Sequence, residues 1–133
     1  MTIERGKNME QSETNNNLVI AYLLLRKVIG IMGVALPFIL AIGAWILFNS
    51  KLQSSLSSYY HTGMRDVFVG MLWAIGFFLL SYKGYERADN IAGNLACVFA
   101  VGVSLFPTPP EADLSVSDQW IGGLHYAFAA LFF

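Results

Sequence analysis

Val28-Ile-Gly-Ile-Met-Gly-Val-Ala-Leu-Pro-Phe-Ile-Leu-Ala-Ile-Gly-Ala-Trp-Ile-Leu-Phe48 contains no charged residue. A hydrocarbon layer about 30 Å thick is crossed by roughly 20 helical residues, so this stretch predicts a transmembrane helix. Three more apolar runs follow after short polar breaks, at Val67–Tyr82, Ile91–Phe106 and Ile121–Phe133. The second reaches spanning length if its helix begins near Thr62 or Met64. The third gains a start from Asp89 or Asn90, both good capping side chains, and stops at Pro107. No run alternates apolar with polar residues, so membrane-barrel strands are not expected. The fold class predicted is all-α: a polytopic transmembrane helix bundle with three complete spans, about 28–48, 64–82 and 90–106, plus a truncated fourth, 121–133. The last run ends while still apolar, which predicts that the chain is a fragment of a longer protein.

Composition points the same way. Hydrophobic residues make up 56% of the chain and charged residues 13%, where a soluble domain carries roughly a quarter charged. Mean hydropathy is +0.54. The net charge of −1 offers no basic field, so the expected partner is the lipid bilayer and not nucleic acid. Cys97 is the one cysteine, which excludes an intrachain disulfide and predicts a small buried apolar residue.

Lysine and arginine set orientation. Arg5, Lys7, Arg26, Lys27, Lys83 and Arg87 fall on one side of the runs, against Lys51 and Arg65 on the other. The excess predicts a multi-pass protein of the cell membrane with a cytoplasmic N-terminus and external loops at 49–66 and 107–120. Residues 1–17, polar and rich in asparagine, are expected to be a disordered cytoplasmic segment ahead of a transmembrane domain at 18–133. Arg26 and Lys27 interrupt the apolar stretch, so a cleavable signal peptide is not expected. Tyr82 and Tyr85 suit the inner headgroup level. Trp45, Phe48, Tyr59, Tyr60 and Trp120 suit the outer one.

Helices in lipid approach closely where side chains are small. Ala92, Ala96, Ala100 and Ser104 recur at four-residue spacing and predict the main packing seam. Gly70 with Ala74, and Gly123 with Ala127, predict shorter ones. Pro37 removes a backbone donor and crowds the carbonyl of Gly33, which predicts a kink in the first span.

Polar side chains gather in Ser57-Ser-Tyr-Tyr-His-Thr-Gly-Met-Arg-Asp66. His125, about one turn inside the fourth run, is expected on the same outer side, and ionisable groups within spans are rare and often functional. Were one helix to run back through Ser57, then Ser57, His61 and Arg65 would form a stripe at four-residue intervals, and Thr62 and Asp66 a second. Asp66 would then lie roughly 140° around the helix from His61, too far for a direct dyad. It suits instead the positive end of the second helix, with Thr62 as a cap. The candidate metal ligands are His61 and His125, the candidate catalytic residues Ser57 and Asp66, and the candidate binding residues Tyr60 and Arg65, the last placed for a lipid phosphate. Glu111, Asp113 and Asp118 lack the spacing and turn glycine of a calcium loop and read as a solvated external loop. No glycine-rich phosphate loop, paired-cysteine zinc motif or nucleophile elbow is present.

The run Ser57–Gly70, the Tyr-Lys-Gly of 82–84 and the Leu-Phe-Pro-Thr of 105–108 resemble a bacterial family of polytopic membrane proteins with no assigned activity. That resemblance covers about residues 55–133 and implies roughly six to eight spans in the full-length protein. A more distant similarity is to the ceramidase and adiponectin-receptor superfamily of zinc-dependent intramembrane lipid amide hydrolases. Ser57 and His61 match its serine placed four residues before a zinc-binding histidine. The aspartate position falls near Leu72, which does not match. His125 matches one histidine of a late His-x-x-x-His pair, and Ala129 stands in the place of the other. The residues alone predict no cofactor, and this similarity implies zinc. The leading functional expectation is a lipid- or small-ligand-binding helix bundle, the alternative a zinc-dependent lipid amide hydrolase, and the second alternative part of a membrane transporter. No second broken helix matches Gly33 and Pro37, as an inverted repeat would require.

Overall fold

A computed structural model describes residues 2–84, 86–109 and 115–132. Among them are four α-helices and no strand: α1 Thr2–Phe48, α2 Arg65–Ser81, α3 Arg87–Leu105 and α4 Val116–Phe132, with a 3₁₀ turn at Ser57–His61 between α1 and α2. The all-α class expected from the sequence stands. Tyr85, Glu111 and Asp113, placed by the sequence at an interface and in a loop, lie outside the described residues.

The helix ends follow from local chemistry. α1 takes in the polar stretch expected to be disordered, starting at Thr2. That stretch contains no proline, and lengthening a nucleated helix adds one hydrogen bond per residue fixed. The helix is unbroken through Gly33 and Pro37. It closes at Asn49, whose φ of 49° is left-handed, while Ser50 N–H donates to Ala44 O at 3.0 Å. Asparagine tolerates this conformation better than most side chains.

The continuous helix from Ser57 to Arg65 does not form. Thr62 is extended, with φ −114° and ψ 175°, and separates the 3₁₀ turn from α2. Its hydroxyl donates to Tyr59 O at 2.7 Å and accepts from Met64 N–H at 3.2 Å, which satisfies the turn without helical bonds. Gly63 completes the break, since a Cβ there would fall 2.3 Å from the Phe48 ring. The stripe of Ser57, His61 and Arg65 is therefore absent. Thr62 serves the turn, and the N-cap of α2 is Met64.

α3 starts earlier than Asp89 or Asn90. Glu86 and Asp89 form a reciprocal capping box around Arg87, which places Asp89 inside the first turn. Asn90 Oδ1 instead accepts Gly84 N–H at 2.8 Å. Ser115 and Asp118 play the same reciprocal part ahead of α4: Ser115 Oγ accepts Asp118 N–H at 3.2 Å and Asp118 Oδ2 accepts Ser115 N–H at 3.0 Å.

The helices form an up-down meander. Gly43 lies against Met64 and Tyr22 against Tyr82, so α1 and α2 are antiparallel. Gly76 lies against Cys97 and Gly93 against Leu79, and Gly102 lies against Phe128, so α2–α3 and α3–α4 are antiparallel as well. α2 packs most extensively on α3, α3 on α4, and α1 joins through α2. The core gathers Leu36, Leu40 and Ala44 of α1 with Tyr59, Met64, Phe68, Leu72 and Val103.

Packing corrects the expected seams. The buried face of α3 is Gly93, Cys97, Ala100, Val103 and Ser104, while Ala92 is exposed and Ala96 half-buried. Gly70 and Gly123 face open space, and Gly76 and Gly122 take their places. Cys97 is buried, as expected.

Among the described residues, two helices, α1 (from Glu13 onward) and α3, are long and apolar enough to cross a membrane. α2 and α4 have 17 residues each, the lower limit for a perpendicular crossing.

Candidate functional site

The meander brings the end of α1, the 3₁₀ turn, the end of α3 and the start of α4 to one end of the bundle. There the strap Phe106–Pro109 leaves α3. Proline disfavours helical backbone in the residue before it, and Phe106 is extended at φ −102°, ψ 109° ahead of Pro107. The carbonyls of the strap thus leave the helical ladder and need other donors.

Both histidines supply them. His125 Nδ1 lies 2.6 Å from Phe106 O, and His61 Nε2 lies 2.7 Å from Thr108 O. A carbonyl only accepts, so the ring nitrogen at each contact carries the proton. In the uncharged ring the other nitrogen, Nδ1 of His61 and Nε2 of His125, is then a lone pair. His125 is 2% exposed, whereas His61 is exposed. The strap is also held by shape. Pro109 sits where a Cβ on Gly122 would be, 2.2 Å from its Cγ, and the rings of Phe106 and Phe128 stack at 5.6 Å.

Between the strap, the 3₁₀ turn and α4 lies a cleft of about 650 Å³. Gln53, Ser57, Ser58 and His61 form a polar wall, and Pro109, His125, Tyr126 and Ala129 face it from the strap and α4. Ser57, His61 and His125, singled out in the sequence, therefore share one cleft.

The other three candidates stand apart from it. Arg65 Nη2 donates to Tyr60 OH at 2.8 Å, and the guanidinium lies 4.5 Å from the Tyr60 ring centroid. Tyr60 and Arg65 thus form a cation–π pair with each other outside the cleft lining. Asp66 is exposed in the first turn of α2, where it complements the helix dipole, and it does not line the cleft. Sequence reasoning passed over Gln53, Thr108 and the strap carbonyls. The signal for the carbonyls was the Pro107-x-Pro109 spacing directly after an apolar run.

Among the described residues, Asp118 is the one group near this end whose acidity is clearly displaced. The Ser115 hydroxyl, and then the Ser115 backbone N–H, hold its carboxyl below the ordinary value of 3.8, against a smaller opposing effect of burial.

Among the described residues, no three His, Cys, Asp or Glu side chains come together as a metal-holding group. A typical catalytic zinc takes three protein ligands, and the cleft offers two imidazoles. The described residues alone do not complete such a site.

No protein-family model matches the chain, and no curated protein or solved structure matches it.

Proposed function

We propose that the chain is a multi-pass integral membrane protein with a cytoplasmic N-terminus. α1, α2 and α3 are complete spans in this reading and α4 belongs to a fourth. Its function is to bind a lipid or small apolar ligand with a polar head in the histidine cleft. Membrane residence is supported by where the apolar surface lies. Only 17% of the most apolar window of α1 is buried and 33% of that of α3, so neither is a core helix hidden within its own protein. Trp45, Leu47 and Val34 are each about 70% exposed, a surface that water would penalise and lipid would not.

The observation that carries the binding reading is the composition of the cleft. Hydroxyls and the His61 imidazole line one wall, Pro109 and Ala129 stand beside His125 and Tyr126 on the other, and the volume of about 650 Å³ suits a small ligand. The test is mass spectrometry of small molecules extracted from the purified protein, compared with an Ala129→Phe variant that fills the cleft from α4. A lipid or amphiphile present in the first and depleted in the second is expected. Identical extracts would remove the reading.

A zinc-dependent hydrolase is the second reading, favoured by one feature. Metal-binding histidines donate their second nitrogen to a carbonyl or carboxylate, and both histidines here donate to strap carbonyls. It requires a third ligand beyond the described residues. Metal content of the purified protein beside His61→Ala decides it: about one zinc per chain, lost in the variant, supports a hydrolase, and no zinc in either removes it.

A further inference from the structure

The far end of the bundle carries a second depression, of about 490 Å³, with no part in the histidine cleft. Arg26, Tyr82 and Asp89 stand at its mouth, and Leu79, Ala92 and Ala96 line its length. Arg26 comes two residues before the apolar run of α1, Tyr82 just follows α2, and Asp89 lies in the first turn of α3. Ala92 and Ala96 follow Asp89 by about one and two turns, deeper in the apolar layer. Their side chains are too small to fill the face of α3 that α2 leaves open. Charge at the mouth and an apolar trough behind it match a phospholipid headgroup with the first part of an acyl chain.

The charges narrow the headgroup. The mouth holds one cation and one carboxylate, and among the described residues neither has an ion-pair partner. Asp89 Oδ2 accepts Glu86 N–H at 3.3 Å in the capping box, which leaves Oδ1 for another donor. A guanidinium takes phosphate in bidentate fashion. A primary ammonium can donate to the carboxylate beside it. A quaternary ammonium has no N–H to give and so cannot donate a hydrogen bond to Asp89. A headgroup with net negative charge and no amine could rest its phosphate on Arg26 but would leave the Asp89 carboxylate beside it without a donor.

We propose that this groove binds a zwitterionic glycerophospholipid bearing a primary amine, of the phosphatidylethanolamine class. Phosphate rests on Arg26, the ammonium on Asp89, and an acyl chain along Ala92 and Ala96. The site rests on the membrane reading above and is independent of the histidine cleft.

The test is native mass spectrometry of the full chain, purified in detergent and exposed to equimolar phosphatidylethanolamine, phosphatidylcholine and phosphatidylglycerol. The wild type is expected to retain phosphatidylethanolamine about tenfold over the other two, the worth of one charge-assisted contact. Asp89→Asn should bring that preference near unity, the asparagine keeping an acceptor for the capping box, and Arg26→Gln should lower retention of all three, since all carry the phosphate. Ala92→Leu, at an exposed position that cannot disturb the core, should lower retention of all three. Equal retention by the wild type, preference for phosphatidylglycerol, selectivity unchanged in Asp89→Asn, or retention unchanged in Arg26→Gln overturns the proposal. Recovery of the chain outside the membrane fraction would instead remove the membrane reading beneath it.

Discussion

An imidazole at 2% exposure has exchanged water for whatever the protein offers, and His125 is offered the carbonyl of Phe106. Truncating it removes the donor and leaves that carbonyl to find another inside the bundle, a loss of about 1–3 kcal/mol. His61 makes a bond of similar length to Thr108 O from an exposed position, where water can replace it. His125→Ala is therefore expected to lower the thermal midpoint in detergent by several degrees, and His61→Ala to leave it nearly unchanged. Equal shifts would mean that the two bonds do not differ in this way. Asp118 provides a second prediction, governed by pH. A lowered pKa means the folded chain takes up the proton less readily than the unfolded one. The stabilisation it provides is then complete above 3.8 and lost as pH falls through the lowered value. The protection of the Ser115 amide, its exchange measured against the intrinsic rate at each pH, should fall on acidification below that point, and Asp118→Asn should abolish the acid-side change. Protection that is flat with pH in the wild type would count against the Ser115–Asp118 cap. At this scale the sequence was legible for the two histidines, because helices of alternating direction bring residues 61 and 125 to one end. Their acceptors were not legible, since the carbonyls become available only when Pro107 turns the chain out of α3.

Among the elements, existence was easier to read than facing. Each apolar run became a helix, the element that satisfies its backbone hydrogen bonds within its own segment. Small residues, however, recur on several faces of the same helix, and spacing alone does not say which face meets a neighbour. Gly70 and Gly76 are both glycines of α2. Only Gly76 lies against Cys97, while nothing stands within 4 Å of a Cβ on Gly70. The 3₁₀ turn was missed for a different reason: Thr62 and Gly63 permit a helix, and the Phe48 ring against Gly63 decides against it. Neighbouring glycines in α4 turn this into a measurement. Replacing a helical glycine by alanine gains up to about 1 kcal/mol where there is room. Gly123→Ala has that room and should stabilise slightly. Gly122→Ala drives a Cβ to 2.2 Å from the rigid Pro109 ring, and overpacking of about 1–3 kcal/mol should outweigh the helical gain. The strap would shift with it, so Gly122→Ala should also weaken any ligand retained in the cleft. Equal thermal midpoints for the two variants would show that Pro109 does not pack on α4.

For the whole molecule, the antiparallel meander separates two polar regions by the length of the helices. The histidine cleft shares its end with Lys51 and Arg65, and the amine-lipid groove shares the other with Arg26, Lys27, Lys83 and Arg87. In the proposed topology, the excess of cations puts the groove end in the cytoplasm and the cleft outside. Single-cysteine labelling in intact cells tests the assignment. Cys97 is buried between helices, so Cys97→Ala gives a silent background. Lys51→Cys and Lys83→Cys are then introduced at exposed positions. Each removes one cation, but the bias survives both, at six against one in the first variant and five against two in the second. An impermeant maleimide should label position 51 directly and position 83 only after permeabilisation. The reverse pattern would turn the cleft toward the cytoplasm and its ligand with it. Labelling of both positions in intact cells would mean that α2 does not cross, and since α2 joins α1 to α3, the three-span arrangement would fall with it.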